Sequence, residues 1–441
     1  QLILLFYHDE FVFQMNALEG ELLEDMTVAK SMADGVVDAA YQYLEEGEDD
    51  DEVADDATAD TDADTTHRDD VGISRNKERL PSQHSKYSME PADILQRAGV
   101  DYSEGFVPSL TVSQARAAKK NDPSMNQHRR KAELPSVEEV QSMYGSRTYI
   151  HGLERCEAFR AAVPQERRLM GPAGIFNSAT NLLNRLLKLN CINKERNSNP
   201  NYQNRRKNNA PTGMLLQAPW GKHNPVKWRL HHEAAVGGKG IEQADFLPIV
   251  MIKDPITWMA SMCRHSYEAR WRHRKEHCPN LVPNKWDRGR KPGEGSMGLK
   301  VKFATQHIGD EPIPDKSNKT FVEYTSLVDL WNVWYRDWHN VDFPRLMVRF
   351  EDLMFHAEDT VTEICKCGGG TMRSKKLRYV EDSAKGQGGP HAGSAGFLAS
   401  LITYGNSTLR NEGILTDARD LEYARKHLDK ELMDMFGYAP I

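Results

Sequence analysis

Between Leu247 and Trp258 the chain reads LPIVMIKDPITW, an unbroken apolar run that stops at a cation, an acid and a proline. A run this short and this apolar predicts a buried strand. Asp254-Pro255 then predicts a turn, with Pro255 near the first position of a helix from about Trp258 to His265, where proline's missing amide would be unpaired in any case. Lys253 falls at the strand end and Ser261, eight residues on, along that helix. An ammonium and a hydroxyl so placed can converge on one anion, the first supplying charge and the second direction. The plainer alternative is a strand-turn-helix unit carrying a surface lysine.

A second unit, RLMGPAGIFNSATNLLNRLL from Arg168 to Leu187, predicts a short strand, a small-residue loop through Gly171, Gly174, Ser178 and Ala179, and an apolar helix from Thr180. Such a loop exposes unpaired amides at a helix N-terminus, where phosphate and sulfate groups bind without a dedicated side chain. Ser178, Thr180 and Asn181 add side-chain donors. No Gly-Lys-Ser/Thr triplet is present, so this is not a Walker loop.

Together the two units resemble those of sulfotransferases that use 3′-phosphoadenosine 5′-phosphosulfate. FNSATN, Phe176 to Asn181, is similar to that family's 5′-phosphosulfate loop, which usually ends Lys/Arg-Ser-Gly-Thr-Thr/Asn. MIKDPITWMAS, Met251 to Ser261, is similar to its 3′-phosphate element, a strand followed by Arg-Asp/Asn-Pro with a serine eight residues after the arginine. RLMVRFEDLMFHAEDTVTEIC, Arg345 to Cys365, is similar to a late strand ending Tyr/Phe-Glu-Asp-Leu before a helix. The three matches stand in the family's order. They imply an α/β fold with a parallel central sheet flanked by helices, of the P-loop NTPase-like sulfotransferase kind.

The resemblance assigns Asn177, Ser178, Ala179, Thr180 and Asn181 to the donor's 5′ end, and Lys253 with Ser261 to its 3′-phosphate. Two departures bear on this. Asn177 stands where the family has a basic residue and Ala179 where it has glycine, so the usual loop charge is missing. Lys222 in QAPWGKHNP is the candidate substitute, because Met214 to Ala218 predicts a further strand that brings this segment beside the loop. Lys253 in place of arginine keeps charge but loses the bidentate fork. Sulfonate transfer, like phosphoryl transfer, asks mainly for positioning and charge stabilisation. Lys222 is thus assigned to the leaving oxygen and His223 to the general base, an imidazole titrating near neutrality; the alternative for His223 is an ordinary loop histidine. Lys385 and Gly386 in KGQGGPHAGS occupy the place of the family's late loop over the 3′-phosphate, and Arg410 is a weaker candidate for the same group; a plain surface loop is the alternative.

Other features have simpler readings. Leu327, Trp331, Trp334 and Trp338 repeat at helical spacing, as core residues do, or form a tryptophan platform for a sugar or sterol. Glu351 and Asp352 suit a helix cap or an arginine partner rather than catalysis. The spacing of His273, His277 and Cys278 could ligate a metal, but Arg272, Arg274 and Lys275 crowd it, and no metal is expected.

Residues 1–44 are expected to form an N-terminal segment and 45–136 a disordered acidic and polar linker, with the catalytic domain over 137–441; a short helix is expected near Ala92 to Arg97. EEGEDDDEVADDATADTDADTTHRDD, Glu45 to Asp70, holds almost no large apolar residue and cannot build a core. The net charge of -7 is therefore weighted to that tail, while Arg205 to Lys207 and Arg264 to Lys275 are locally basic. With no nucleic-acid motif, a solvated helix face or an acidic glycan accounts for these clusters better than nucleic acid.

Six scattered cysteines permit disulfides without demanding them. Sequons at Asn318 and Asn406 fit a secretory lumen. The chain opens Gln1-Leu-Ile-Leu-Leu-Phe without an initiator methionine, read as the remnant of an N-terminal anchor. The expectation is a type II Golgi sulfotransferase acting on a carbohydrate hydroxyl, with a cytoplasmic enzyme as the alternative placement. A sterol or phenol acceptor, a catalytically impaired nucleotide- or glycan-binding relative, and a nucleotide kinase are the competing functions, the last disfavoured by the missing Walker lysine.

Overall fold

In the computed structural model the apolar run becomes β4 (Phe246–Ile252), every residue of it buried. It lies between β2 (Leu169–Gly174) and β8 (Leu346–Arg349), parallel to both, with β1 (Ile150–His151) antiparallel on the far side of β8. The sheet order is β1-β8-β4-β2, so the central sheet is mixed rather than all-parallel as expected, through its short edge strand. The chain is a mixed α/β protein. Residues 89–100, 134–202, 210–234, 241–273, 277–282, 298–303, 321–381, 396–413, 415 and 417–441 are described, all within the unit Pro81–Ile441. The acidic run at 45–70, residues 1–44, Asn318, and Lys385 with Gly386 lie outside them.

The helices used below are α1 (Pro91–Arg97), α2 (Val137–Tyr144), α3 (Cys156–Ala162), α4 (Thr180–Asn190), α5 (Pro255–Arg264), α6 (Leu327–His339), α7 (Phe350–Phe355), α8 (Ala357–Cys367) and α9 (Phe397–Tyr404). In α4 the buried Leu183, Leu186, Leu187 and Asn190 follow the i, i+3, i+4, i+7 rule and face the core. Asn184 of α4 donates to the Leu215 carbonyl at 2.8 Å. The expected strand at Met214 to Ala218 is only a single parallel bridge, Met170 to Met214, with further backbone bonds from Leu215 to Met170 and Ala218 to Pro172. Helix α1, where a short helix near Ala92 to Arg97 is expected, buries Ile94 and Leu95 in the common core.

Six cysteines pair completely. Cys156–Cys367 ties α3 to α8, and Cys191–Cys365 ties α8 to β3 (Cys191–Ile192), which pairs with Thr371–Met372. Cys263–Cys278 ties the end of α5 to the segment 277–282. A smaller antiparallel sheet joins β5 (Ala269–Arg270), β6 (Leu299–Lys302) and β7 (Phe321–Tyr324).

Candidate anion-binding site

Parallel strands end together. Gly174 is level with Met251, and Ile252 with Arg349, so the loop 175–179, Lys253 and Phe350 all leave the carboxyl edge of one sheet. In open α/β sheets that edge is where ligands bind. The predicted strand, loop and helix from Arg168 onward form with α4 starting at Thr180, as expected.

The loop is coiled tightly. Asn177 and Ala179 have φ of 61° and 68°, the left-handed region that glycine enters freely and alanine only at a cost of about 1–2 kcal/mol. This gives a physical reason for a glycine at the position of Ala179 in the family motif. Gly174 has no such choice: a Cβ there would lie 2.3 Å from Ser178 Oγ. Ser178, 1% exposed, donates its hydroxyl to the Ile175 carbonyl at 2.7 Å rather than outward. The loop is fastened to α5, for Trp258 Nε1 donates to the Phe176 carbonyl at 2.7 Å and Asn177 Nδ2 to that of His265 at 2.8 Å.

Lys222 reaches this loop's helix. Its Nζ donates to Asn181 Oδ1 at 2.9 Å, and its carbonyl accepts from Gly174 N at 2.7 Å. His223 Nδ1 lies 2.7 Å from the Gly174 carbonyl, and its ring packs 4.7 Å from Phe176. A carbonyl can only accept, so Nδ1 carries the proton and the imidazole lone pair falls on Nε2.

Across the same edge Pro255 opens α5 at its first position, and Asp254 Oδ1 caps it by accepting from Ile256 N and Thr257 N. Lys253, 3% exposed, donates to Ser261 Oγ at 3.0 Å and Tyr404 Oη at 3.0 Å. Its ammonium also lies 4.9 Å from the Phe350 ring centre and 4.5 Å from that of Tyr404. Arg264 Nη2 adds a second cationic donor to the group, 3.1 Å from Ser261 Oγ. Burial resists ionisation of Tyr404, but Lys253 and Arg264 outweigh it and bring the phenol down to about 8.

The carboxylates nearby are committed elsewhere. Asp254 pairs with buried Arg410 at 2.7 Å, and Asp352 forms a bidentate pair with Arg349 at 2.7 and 2.8 Å. Glu351 accepts from Asp254 N and from the Tyr438 hydroxyl; burial, with Asp254 adding to it, pushes its carboxyl up to about 7. Among the described residues, Lys253 and Arg264 therefore meet hydroxyls and rings but no carboxylate. Lys253 is a cation taken out of water without a counter-ion, which is costly and which an anionic ligand would relieve; Arg264 is exposed.

Comparison with protein-family models, curated proteins and solved structures finds no match. The site thus stands on its own geometry. It brings Ser178, Thr180, Asn181, Lys222 and His223 together on one side, and Lys253 and Ser261 on the other, with α5 joining them. Arg410 does not belong to it: Asp254 and the Ala439 carbonyl hold its guanidinium.

The tryptophan stripe is core, with Trp331, Trp334 and Trp338 all buried, so no sugar or sterol platform forms there. Trp331 instead positions the site, donating Nε1 to the Lys253 carbonyl at 3.0 Å. Cys278 is in a disulfide, and no metal-holding group of His, Cys, Asp or Glu occurs among the described residues. Tyr404 and Arg264 join the site without a sequence signal that marks them. Tyr404 is 151 residues from Lys253, with no spacing to betray it, and Arg264 stands in a basic run that reads as a solvated helix face.

Proposed function

We propose that this protein is a sulfotransferase that moves a sulfonate group from 3′-phosphoadenosine 5′-phosphosulfate to a hydroxyl, in a P-loop NTPase-like sulfotransferase fold. The observation that carries the reading is Lys253, a buried cation whose hydrogen bonds go to Ser261 and Tyr404, at the same sheet edge as a coiled loop opening a helix. Those are two anion-seeking ends, as a donor bearing charge at both ends requires. The order of the three motifs in the sequence supports the same assignment.

In this reading Lys253, Ser261 and Arg264 hold the 3′-phosphate, and the amides at the start of α4, with Thr180 and Asn181, hold the 5′ end. Lys222, already hydrogen-bonded to Asn181, meets the charge growing on the leaving oxygen. Nε2 of His223 takes the proton from the attacking hydroxyl, and the hydrogen bond to Gly174 fixes the ring for it. The acceptor is a carbohydrate hydroxyl, and exposed Arg270 and Arg272, just beyond α5, suit an acidic one. Three disulfides suit an oxidising compartment such as the Golgi lumen.

One observation favours a second reading. The Asn177 amide is turned into α5 and brings no charge to the loop, as in a relative that binds a nucleotide or glycan without turnover. Radiolabelled sulfonate transfer from the donor to a panel of sugars, phenols and sterols separates the two. Label on a sugar hydroxyl is expected; donor binding with no labelled product across the panel would establish the second reading instead.

A further inference from the structure

Tyr404 sits at the last position of α9, where its carbonyl accepts from Tyr144 Oη of α2 at 2.8 Å and Phe350 packs edge-on 4.7 Å away. Its phenol oxygen accepts from Lys253, and Arg264 also acts on it as a cationic donor. Ser261, the other hydroxyl on Lys253, sends its own proton to the Thr257 carbonyl at 3.0 Å. The phenol proton of Tyr404 has no acceptor among the described residues. One hydroxyl thus faces two cations with its oxygen, while its proton awaits an acceptor that an anion would provide.

We propose that Tyr404 gates this anion site: as a phenol it donates a hydrogen bond to the bound anion, and as a phenolate it takes the anion's place against Lys253 and Arg264. The inference rests on the reading of Lys253 and Ser261 as a phosphate site. A phenolate neutralises the ammonium that would otherwise attract the ligand, so anion binding and Tyr404 ionisation exclude one another. Binding is then linked to proton uptake wherever the empty site has lost the proton. The phenol ionises at about 8 in the empty protein, which places the loss of affinity above that pH.

Other charged groups face Tyr404 and its neighbours. Lys253 and Asp254 come from the end of β4, the latter tied to Arg410; Arg264 comes from α5 and Glu351 from α7. Tyr144, pushed well above its ordinary range by burial, comes from α2, as does Glu139, which holds Ser407. Tyr404→Phe leaves every one of these in place and removes only the hydroxyl. Its ring contact with Phe350 is retained.

The test is calorimetric titration of the intact chain and of Tyr404→Phe with adenosine 3′,5′-bisphosphate and with inorganic pyrophosphate, from about pH 7 to about pH 9.5, in two buffers of different ionisation enthalpy. The natural chain should lose affinity about tenfold per pH unit above about 8 and take up one proton on binding. Tyr404→Phe should bind about fivefold more weakly at neutral pH, through the lost hydrogen bond, and show no such fall. An equal fall in the variant overturns the gate while leaving the phosphate site standing. Pyrophosphate binding with the Tyr404-dependent fall, but no bisphosphate binding, supports the gate and removes the nucleotide donor. Binding of neither probe at any pH overturns the proposal.

Discussion

Lys253 is the residue on which the site turns, because a buried ammonium with hydroxyl partners is out of balance until an anion arrives. Lys253→Ala is expected to weaken binding of adenosine 3′,5′-bisphosphate by about 10- to 100-fold, the scale of a charge-assisted hydrogen bond. Ser261→Ala removes the hydroxyl that accepts from Lys253 and Arg264, and should weaken it only about fivefold. Equilibrium titration reads both; unchanged affinity in Lys253→Ala would move the phosphate elsewhere. His223→Ala should behave differently, lowering the rate of transfer by about 10²- to 10⁴-fold with donor affinity retained, as loss of a general base does. A parallel loss of affinity would make His223 a support for the loop, through Gly174, rather than a base.

At the scale of elements, much of this site was legible in the chain. The run ending at Lys253 and the proline after it were enough to place β4 and α5, since each signal is local: apolar continuity, a missing amide and a capping carboxylate. The strand before the loop and the helix after it follow from the same kind of signal. What was not legible is long-range. The edge strand β1 is two residues long and carries no pattern of its own, so the antiparallel pairing that makes the sheet mixed could not be read. Nor could the cysteine pairing, whose partners lie 211 and 174 residues apart on α3, β3 and α8. Those links hold α8 against α3 and β3. Replacing Cys191 and Cys365 together by alanine should lower the unfolding free energy by about 2–5 kcal/mol, read from denaturant midpoints. An unaltered midpoint would mean that packing alone fixes α8.

For the whole molecule, the buried charges beneath the site set a pH dependence of stability. Glu351 is held at about 7 in the folded protein, above the ordinary carboxylate value of 4.5. The folded state therefore holds a proton that the unfolded chain gives up between those values, so its contribution is fully present below 4.5 and is lost as pH rises through about 7. Asp420, raised by burial to about 6, acts in the same direction. Glu351 is expected to contribute roughly 2–3 kcal/mol more at pH 5 than at pH 8, at about 1.36 kcal/mol per pH unit, while His151, His339 and His356, lowered by burial, act in the opposite direction. Glu351→Gln, which keeps an acceptor for Asp254 N, should flatten that slope; a variant with the natural slope would assign it to other groups.

In the proposed function a single small molecule is gripped at both ends, by Lys253 with Ser261 after β4 and by the start of α4 after β2. A crystal structure with adenosine 3′,5′-bisphosphate tests it most directly. The 3′-phosphate is expected on Lys253 and Ser261, and the 5′-phosphate on the amides of Ala179 to Asn181. A nucleotide seated with neither phosphate at these groups would contradict it.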